Sequence, residues 1–270
     1  VKEEEPVMVI SHPPQDGRAL WVSAHPRSAS LTGELRAAGT RVLADRYQVA
    51  TSDLYAQGFD PVLDEKDLGV RAGEAGTVAR QLGASYDAGT LRPDVRAEQE
   101  KIAAAELLVL QFPLWWYGPP AILKGWIDRV FVENFAYGDM DPELGVPRRY
   151  GDAGLSGRRA LVIVSAGDDP GSLGPRGISG DIDSLLFPLL HGALWYVGIE
   201  TLELHVIHDA DHLDAAGRAA EVARLENRLV GIDTETPIGF RRLADGEYSA
   251  GRALAPELAA GRTDLGIHRG

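Results

Sequence analysis

Three short runs of nearly uninterrupted apolar residues set the frame of this chain: ALWVSA from Ala19, LLVLQF at Leu107–Phe112 and ALVIVS at Ala160–Ser165. A strand buried on both faces reads as a continuous apolar run rather than an alternation, the habit of a parallel sheet covered by helices. The intervening segments supply those helices. Leu31–Arg46 puts Leu35, Ala38, Val42 and Leu43 on one face,. Asp94–Ala105 reads as a second helix, and Pro119 or Pro120 suits the first position of a third, running to about Val132,. An apolar helix is expected from about Ile182 to Tyr196 and a long amphipathic one over Asp214–Val230,. Tyr47–Leu54 and Thr201–Ile207 complete the strands, the former less apolar and so nearer an edge.

Strands alternating with helices in this way predict an α/β chain with a doubly wound, parallel, five-stranded sheet of the flavodoxin-like type. The 270 residues suffice for a sizeable core,. Neither an internal repeat nor a linker divides them. The expected organisation is a mobile N-terminal extension over 1–18, one domain over 19–235, and a tail over 236–270 that packs on the domain or on a dimer partner. The first stretch, VKEEEPVMVISHPPQDG, is acidic and proline-interrupted, unlike a signal peptide,.

Composition narrows the function. A net charge of −13 disfavours nucleic-acid binding, which needs a basic face,. The chain has no cysteine, which removes disulfides, thiolate metal sites and cysteine nucleophiles and is compatible with a cytoplasmic location,. No run approaches the ~18 apolar residues that span a bilayer.

In an open parallel sheet, ligands bind beyond the carboxyl ends of the strands. Three loops leave such ends here. The first, His25 to Thr32, brings small hydroxyl residues to a helix N-terminus, where hydroxyl and backbone donors suit a phosphate; a plain N-cap at Ser30 or Thr32 is the simpler alternative,. Neither GxGxxG nor GxxxxGK[ST] follows the strand,. The second, Phe112 to Pro120, holds Trp115, Trp116 and Tyr117 in irregular backbone, where exposing large rings is costly, so an aromatic pocket is favoured over core packing,. The third, Ser165 to Gly174, is glycine-rich and lets backbone approach a ligand, though it reads equally well as an ordinary flexible loop,. His205, His208 and His212 with Asp209 and Asp211 carry metal-ligand chemistry, but a solvated surface is the better reading and no metal is expected,.

The segment FPLWWYGPPAILKGWIDRVFVENFAYG, Phe112–Gly138, closely resembles the NAD(P)H:quinone oxidoreductase (DT-diaphorase) family. Supporting segments are SDLYAQGFDP, LRPDVRAEQ, GISGDID and ETPIGF, so the resemblance covers most of Ala19 to Phe240. It implies a homodimer with bound FAD, or FMN as in some relatives, that passes hydride from NAD(P)H to a quinone in a ping-pong cycle. Carried over by position, it implies His25, Ser30, Leu31 and Thr32 near the diphosphate and Pro113, Leu114, Trp116 and Tyr117 beside the isoalloxazine. Ser165, Ala166 and Gly167 fall on the ring's polar edge, and Arg218 near the adenine end. Tyr137 and Tyr196 are implied to line the substrate side across the dimer interface. A tyrosine and a histidine that mammalian members place beside the flavin are replaced here by Leu173 and Ser179, and a second substrate-side tyrosine is lost around Asp139. Backbone N–H groups of Gly167 to Gly171 and the guanidinium of Arg176 are the substitutes expected to balance the charge of the reduced ring. Two further readings are a flavodoxin-like ancillary subunit of a potassium-efflux transporter and a tailoring reductase of aromatic natural products.

Overall fold

The computed structural model describes residues 17–69, 76–142, 145–249 and 252–270. Most of the extension expected over 1–18 lies outside the described residues. Its last two positions do not: the first strand, β1, is Gly17–Ser23, two residues longer than its apolar run indicates, because Gly17 and Arg18 pair with Tyr47 and Gln48.

Then follow α1 (Leu31–Leu43), β2 (Tyr47–Asp53), α2 (Val78–Asp87), α3 (Pro93–Ala104), β3 (Leu107–Pro113), α4 (Ala121–Val130) and β4 (Arg159–Ser165). The chain continues through α5 (Ile182–Leu185), α6 (Phe187–Leu189), a π-helical turn (Leu190–Trp195), β5 (Glu200–Thr201), β6 (His205–Ile207) and α7 (Ala215–Val230). The strands pair in parallel in the order β2-β1-β3-β4-β5, with β6 also on β4. This is the flavodoxin-like arrangement, whose fifth position is shared by two short strands.

Two expected elements are broken. The helix over Ile182–Tyr196 divides because Pro188 has no N–H to give the preceding turn, and the chain then widens so that Tyr196 N–H reaches His191 O,. The strand over Thr201–Ile207 divides because its outer chain carries one residue more than β4: Ala160 faces Thr201, yet Ile163 faces His205,. The first helix stops at Leu43, short of Arg46, where Asp45 and Arg46 turn into β2.

Side chains alternate cleanly across the sheet. Ala19, Trp21, Leu107, Val109, Leu161 and Ile163 face Leu35 and Leu43 of α1 and Leu225 and Leu229 of α7. Leu20, Val22, Leu108, Leu110, Phe112, Val162 and Val164 face α3, α4 and Leu186–Val197. Alternate residues of each apolar run therefore fill opposite layers, so polar residues enter only near its carboxyl end, at Ser23, Gln111 and Ser165,. Gln111 is spent on structure: its Oε1 accepts from Trp21 Nε1 at 2.9 Å, and its Nε2 donates to Thr32 O at 3.0 Å. Beyond α7 the chain returns to the sheet. Ile238 N–H donates to Thr201 O at 2.7 Å, Trp195 Nε1 to Arg241 O at 3.1 Å, and Phe240 sits edge-on to Phe187.

Candidate functional site

The carboxyl ends of β1, β3 and β4 meet at a polar cavity of about 350 Å³. From the first loop it is lined by His25, Arg27, Ser30, Leu31 and Thr32, from the second by Pro113, Leu114 and Trp115, and from the third by Ser165 and Gly167. Arg218 of α7 and Asp211 close its far side. An adjoining cavity of about 300 Å³ shares Leu114, Gly167 and Asp211 with it and adds Trp116, Tyr117, Ala166 and Asp168. One trough results, lined by hydrogen-bond donors suited to a phosphate at one end and by aromatic rings at the other.

The polar end is built by a tight loop feeding α1. Ser30 caps the helix, its Oγ accepting from Gly33 N at 3.2 Å while donating to Arg27 O at 2.9 Å. The N-cap reading is thus correct, and it does not compete with an anion site, because the N–H groups of Leu31 and Thr32 have no acceptor within the helix. His25 Nδ1 sits 3.1 Å from Arg27 N, fixing the entry bend. Gly33 permits the turn: a Cβ there would lie 2.1 Å from Ser28 O. Arg218 stands across the cavity in a two-point pair with Glu34, 2.5 Å and 3.2 Å, which raises its pKa further.

The aromatic end is a two-residue hairpin. Trp115 and Gly118 exchange backbone hydrogen bonds of 3.1 Å, and between them Trp116 (φ 51°) and Tyr117 (φ 60°) both occupy the left-handed region. Turns of that kind favour Asn-Gly, and two aromatic residues there carry strain of the sort that accumulates at functional sites. Trp116 is 97% exposed, so the ring is neither core nor enclosed by its own chain. Leu114 N–H donates to Ser165 O at 2.8 Å and Ala166 N–H to Ile207 O at 2.8 Å, which ties the second loop to β4 and β4 to β6.

Several expected residues lie elsewhere. Arg176 is exposed and lines neither cavity. The Gly171 N–H is already taken by Asp169 Oδ1 at 2.7 Å, so it is no free donor to a ligand. Tyr137 and Tyr196 touch edge-on, ring centres 5.9 Å apart, on the margin of the core and away from the trough. Leu173 is buried. Ser179 is not idle: it joins Tyr117 to Asp168. No group of His, Asp and Glu able to hold a metal occurs among the described residues. Sequence reasoning passed over Asp168, Gly33 and Asp211 as site residues. A carboxylate three residues beyond a strand end was visible for Asp168; Asp211, weighed from the sequence only for metal-ligand chemistry, reaches the trough because β6 lies beside β4.

The profile of the flavodoxin-like fold family matches residues 17–229. The chain belongs to that family. It is 32% identical over 246 residues to NAD(P)H dehydrogenase [quinone] 1 of Cavia porcellus, covering 89% of this chain and 87% of that protein. It is 35% identical over 261 residues to the ribosyldihydronicotinamide dehydrogenase-like protein traD of Penicillium crustosum, covering 93% and 95%. Among solved structures, one assigned as a quinone reductase from Klebsiella pneumoniae superposes with a TM-score of 0.89 at 39% identity, covering 94% of this chain and all of that one. No described helix is long and apolar enough to cross a membrane.

Proposed function

We propose that this family member is a flavoprotein oxidoreductase that takes hydride from NAD(P)H and reduces a quinone or quinone-like aromatic substrate by two electrons in a ping-pong cycle. The observation that carries this is the continuity of the trough, a helix N-terminus at one end and a strained aromatic hairpin at the other. A flavin has matching halves: a phosphate for the unspent N–H groups of Leu31 and Thr32, and a flat ring for the slot between Pro113, Leu114, Trp116 and Tyr117 and the Ser165-Ala166-Gly167 turn. The bound flavin supplies the hydride chemistry. The protein positions the ring, keeps a carboxylate at each side of Gly167, and leaves one face open to small aromatic ligands.

FAD is favoured over FMN because Arg218 extends the cavity beyond the helix end. Tyr137 and Tyr196 then serve a partner's trough rather than their own, which makes the working form a homodimer, and the protein acts in the cytoplasm. Exposed Trp116, Ile178 and Met140 supply apolar surface for such a contact,. The names of the two relatives support the quinone acceptor and a reduced nicotinamide donor.

The test is titration of the purified chain with FAD and FMN, followed by anaerobic mixing with NADPH, NADH and N-ribosyldihydronicotinamide and then with a quinone. Tight uptake of one flavin, bleaching by a donor and recovery by the quinone are expected. A chain that takes up neither flavin overturns the reading, and sedimentation as a monomer with flavin bound overturns the dimer.

A further inference from the structure

The aromatic cavity has an unusual charge inventory. Its described lining contains two carboxylates, Asp168 and Asp211, one phenol, Tyr117, and no cation or imidazole. A quinone that gains a hydride becomes an oxyanion, which must then find a proton or a positive charge. Neither Arg218 nor Arg176 lines this cavity, so the oxyanion has to be met by a proton.

Tyr117 is the hydroxyl placed to give it, and a chain of oxygens connects it to a carboxylate. Tyr117 Oη lies 3.3 Å from Ser179 Oγ, and Ser179 Oγ lies 3.0 Å from Asp168 Oδ2. Ser172 Oγ braces the middle of the chain, 2.9 Å from Ser179 Oγ. The middle is held from below as well, since Ser179 N–H donates to Ser172 O at 3.2 Å and Gly177 packs so close that a Cβ would lie 1.9 Å from Ser172 O. Asp168 is also fixed at its backbone, its carbonyl accepting from Asp209 N–H at 3.1 Å. Both ends of the chain, Tyr117 and Asp168, line the cavity, whereas Ser179 bridges them behind it.

We propose that Asp168, Ser179 and Tyr117 form a proton relay that completes quinone reduction, an inference that rests on the flavoprotein reading above. In each reduction the quinone accepts a hydride, two electrons and one hydrogen, originating in the reduced nicotinamide. The Tyr117 O–H bond breaks as the second O–H bond of the hydroquinone forms. Tyr117 regains a proton from Ser179, whose own is replaced through Asp168 from water in the cavity. One solvent proton is consumed, and every residue ends as it began. A phenol suits the last step because it and a hydroquinone are acids of similar strength, so the transfer is close to balanced. The charged neighbours of the relay at the cavity are Asp168 itself and Asp211, whose carboxylate lies against Gly167.

Stopped-flow oxidation of the reduced, flavin-loaded protein by benzoquinone tests the relay. Tyr117→Phe is expected to slow this half-reaction about 10²-fold, well beyond any change in the reductive half-reaction. Asp168→Asn and Ser179→Ala should each slow it, and the double variant should be no slower than the worse single one, because the three act in series. The wild type should show a solvent isotope effect with more than one proton in flight, and Tyr117→Phe should lose it. Strictly additive losses, or an isotope effect that survives Tyr117→Phe, overturn the proposal. A second measurement needs no flavin. In the cofactor-free chain the ring NMR signal of Tyr117, identified by its loss in Tyr117→Phe, should shift when Ser179 is Ala, because its hydrogen-bond partner is removed. Failure of flavin binding sinks the function proposed above; an unmoved Tyr117 signal sinks the relay alone.

Discussion

The guanidinium of Arg129, fully buried on α4, grips Asp67 through Nε at 2.9 Å and Nη2 at 2.7 Å, both on Oδ1. Its remaining arm reaches Asp94 Oδ2 at 2.8 Å and Asp60 O at 2.7 Å. One side chain thus fastens the long segment after β2 and the start of α3 to the helix that follows the aromatic hairpin. Burial works against the charge on Asp94, but the bond and charge of Arg129 outweigh it and hold that carboxyl below its usual range.

Breaking this pair strands a buried charge. Asp67→Ala is therefore expected to cost about 3–5 kcal/mol in urea unfolding, far more than loss of an exposed pair such as Lys124–Asp128,. A loss under about 1 kcal/mol would mean that water reaches the guanidinium.

Two buried histidines make the fold sensitive to acid. Burial, with Arg224 and Arg228 nearby, pushes His205 down to about 3. Burial and His268 push His191 down to about 4 inside a box of Phe187, Tyr150 and Phe240. Both titrate lower when folded than when unfolded, so protons favour the unfolded chain. Their contribution is complete above the unfolded value, about 6.5, and is lost as pH falls from there toward the folded values. Each histidine adds a slope of up to about 1.4 kcal/mol per pH unit across that window. His205→Gln should flatten the pH dependence of unfolding between about pH 6.5 and 5; an unchanged slope would show that His205 is solvated.

The hairpin tip carries strain that serves binding. Replacing Trp116-Tyr117 with Asn-Gly is expected to stabilise the cofactor-free chain by about 1–2 kcal/mol, since both positions have positive φ,. The same change should weaken flavin binding, because it removes the aromatic slot. Thermal melts with and without FAD separate the two effects, and a destabilised cofactor-free chain contradicts the strain argument.

Gly33→Ala addresses the polar end. Its Cβ would meet Ser28 O at 2.1 Å, so the loop before α1 has to move. FAD affinity is expected to fall at least ~10-fold, about 1.4 kcal/mol, with a small change in stability because the loop is exposed.

Arg218→Ala discriminates between flavins. Arg218 lines the cavity away from the aromatic hairpin and is held by Glu34. The variant should bind FAD more weakly than the wild type while its FMN affinity stays the same. Equal losses for both would place Arg218 at the phosphate instead.

What the sequence determined by itself was local or periodic. Apolar runs such as LLVLQF named the buried strands, since only a doubly covered sheet tolerates them, and Ser30 announced its helix as an N-cap,. The three loops of the trough were legible for the same reason: each directly follows a strand end. The long FPLWWYGPPAILKGWIDRVF segment turned out to hold two kinds of information. Its hairpin faces the trough, whereas Gly125, Trp126 and Arg129 serve packing: Gly125 admits Pro61 O at 2.0 Å from where a Cβ would sit, and Trp126 Nε1 bonds Glu98 Oε2 at 2.9 Å. What only the tertiary structure decided was everything that depends on a neighbour distant in the chain. The break in the helix after Ile182, the one-residue bulge opposite β4, and the partners of Ser179 all follow from how separate segments meet. Periodicity reports which face of an element is buried; it carries no record of what that face is buried against.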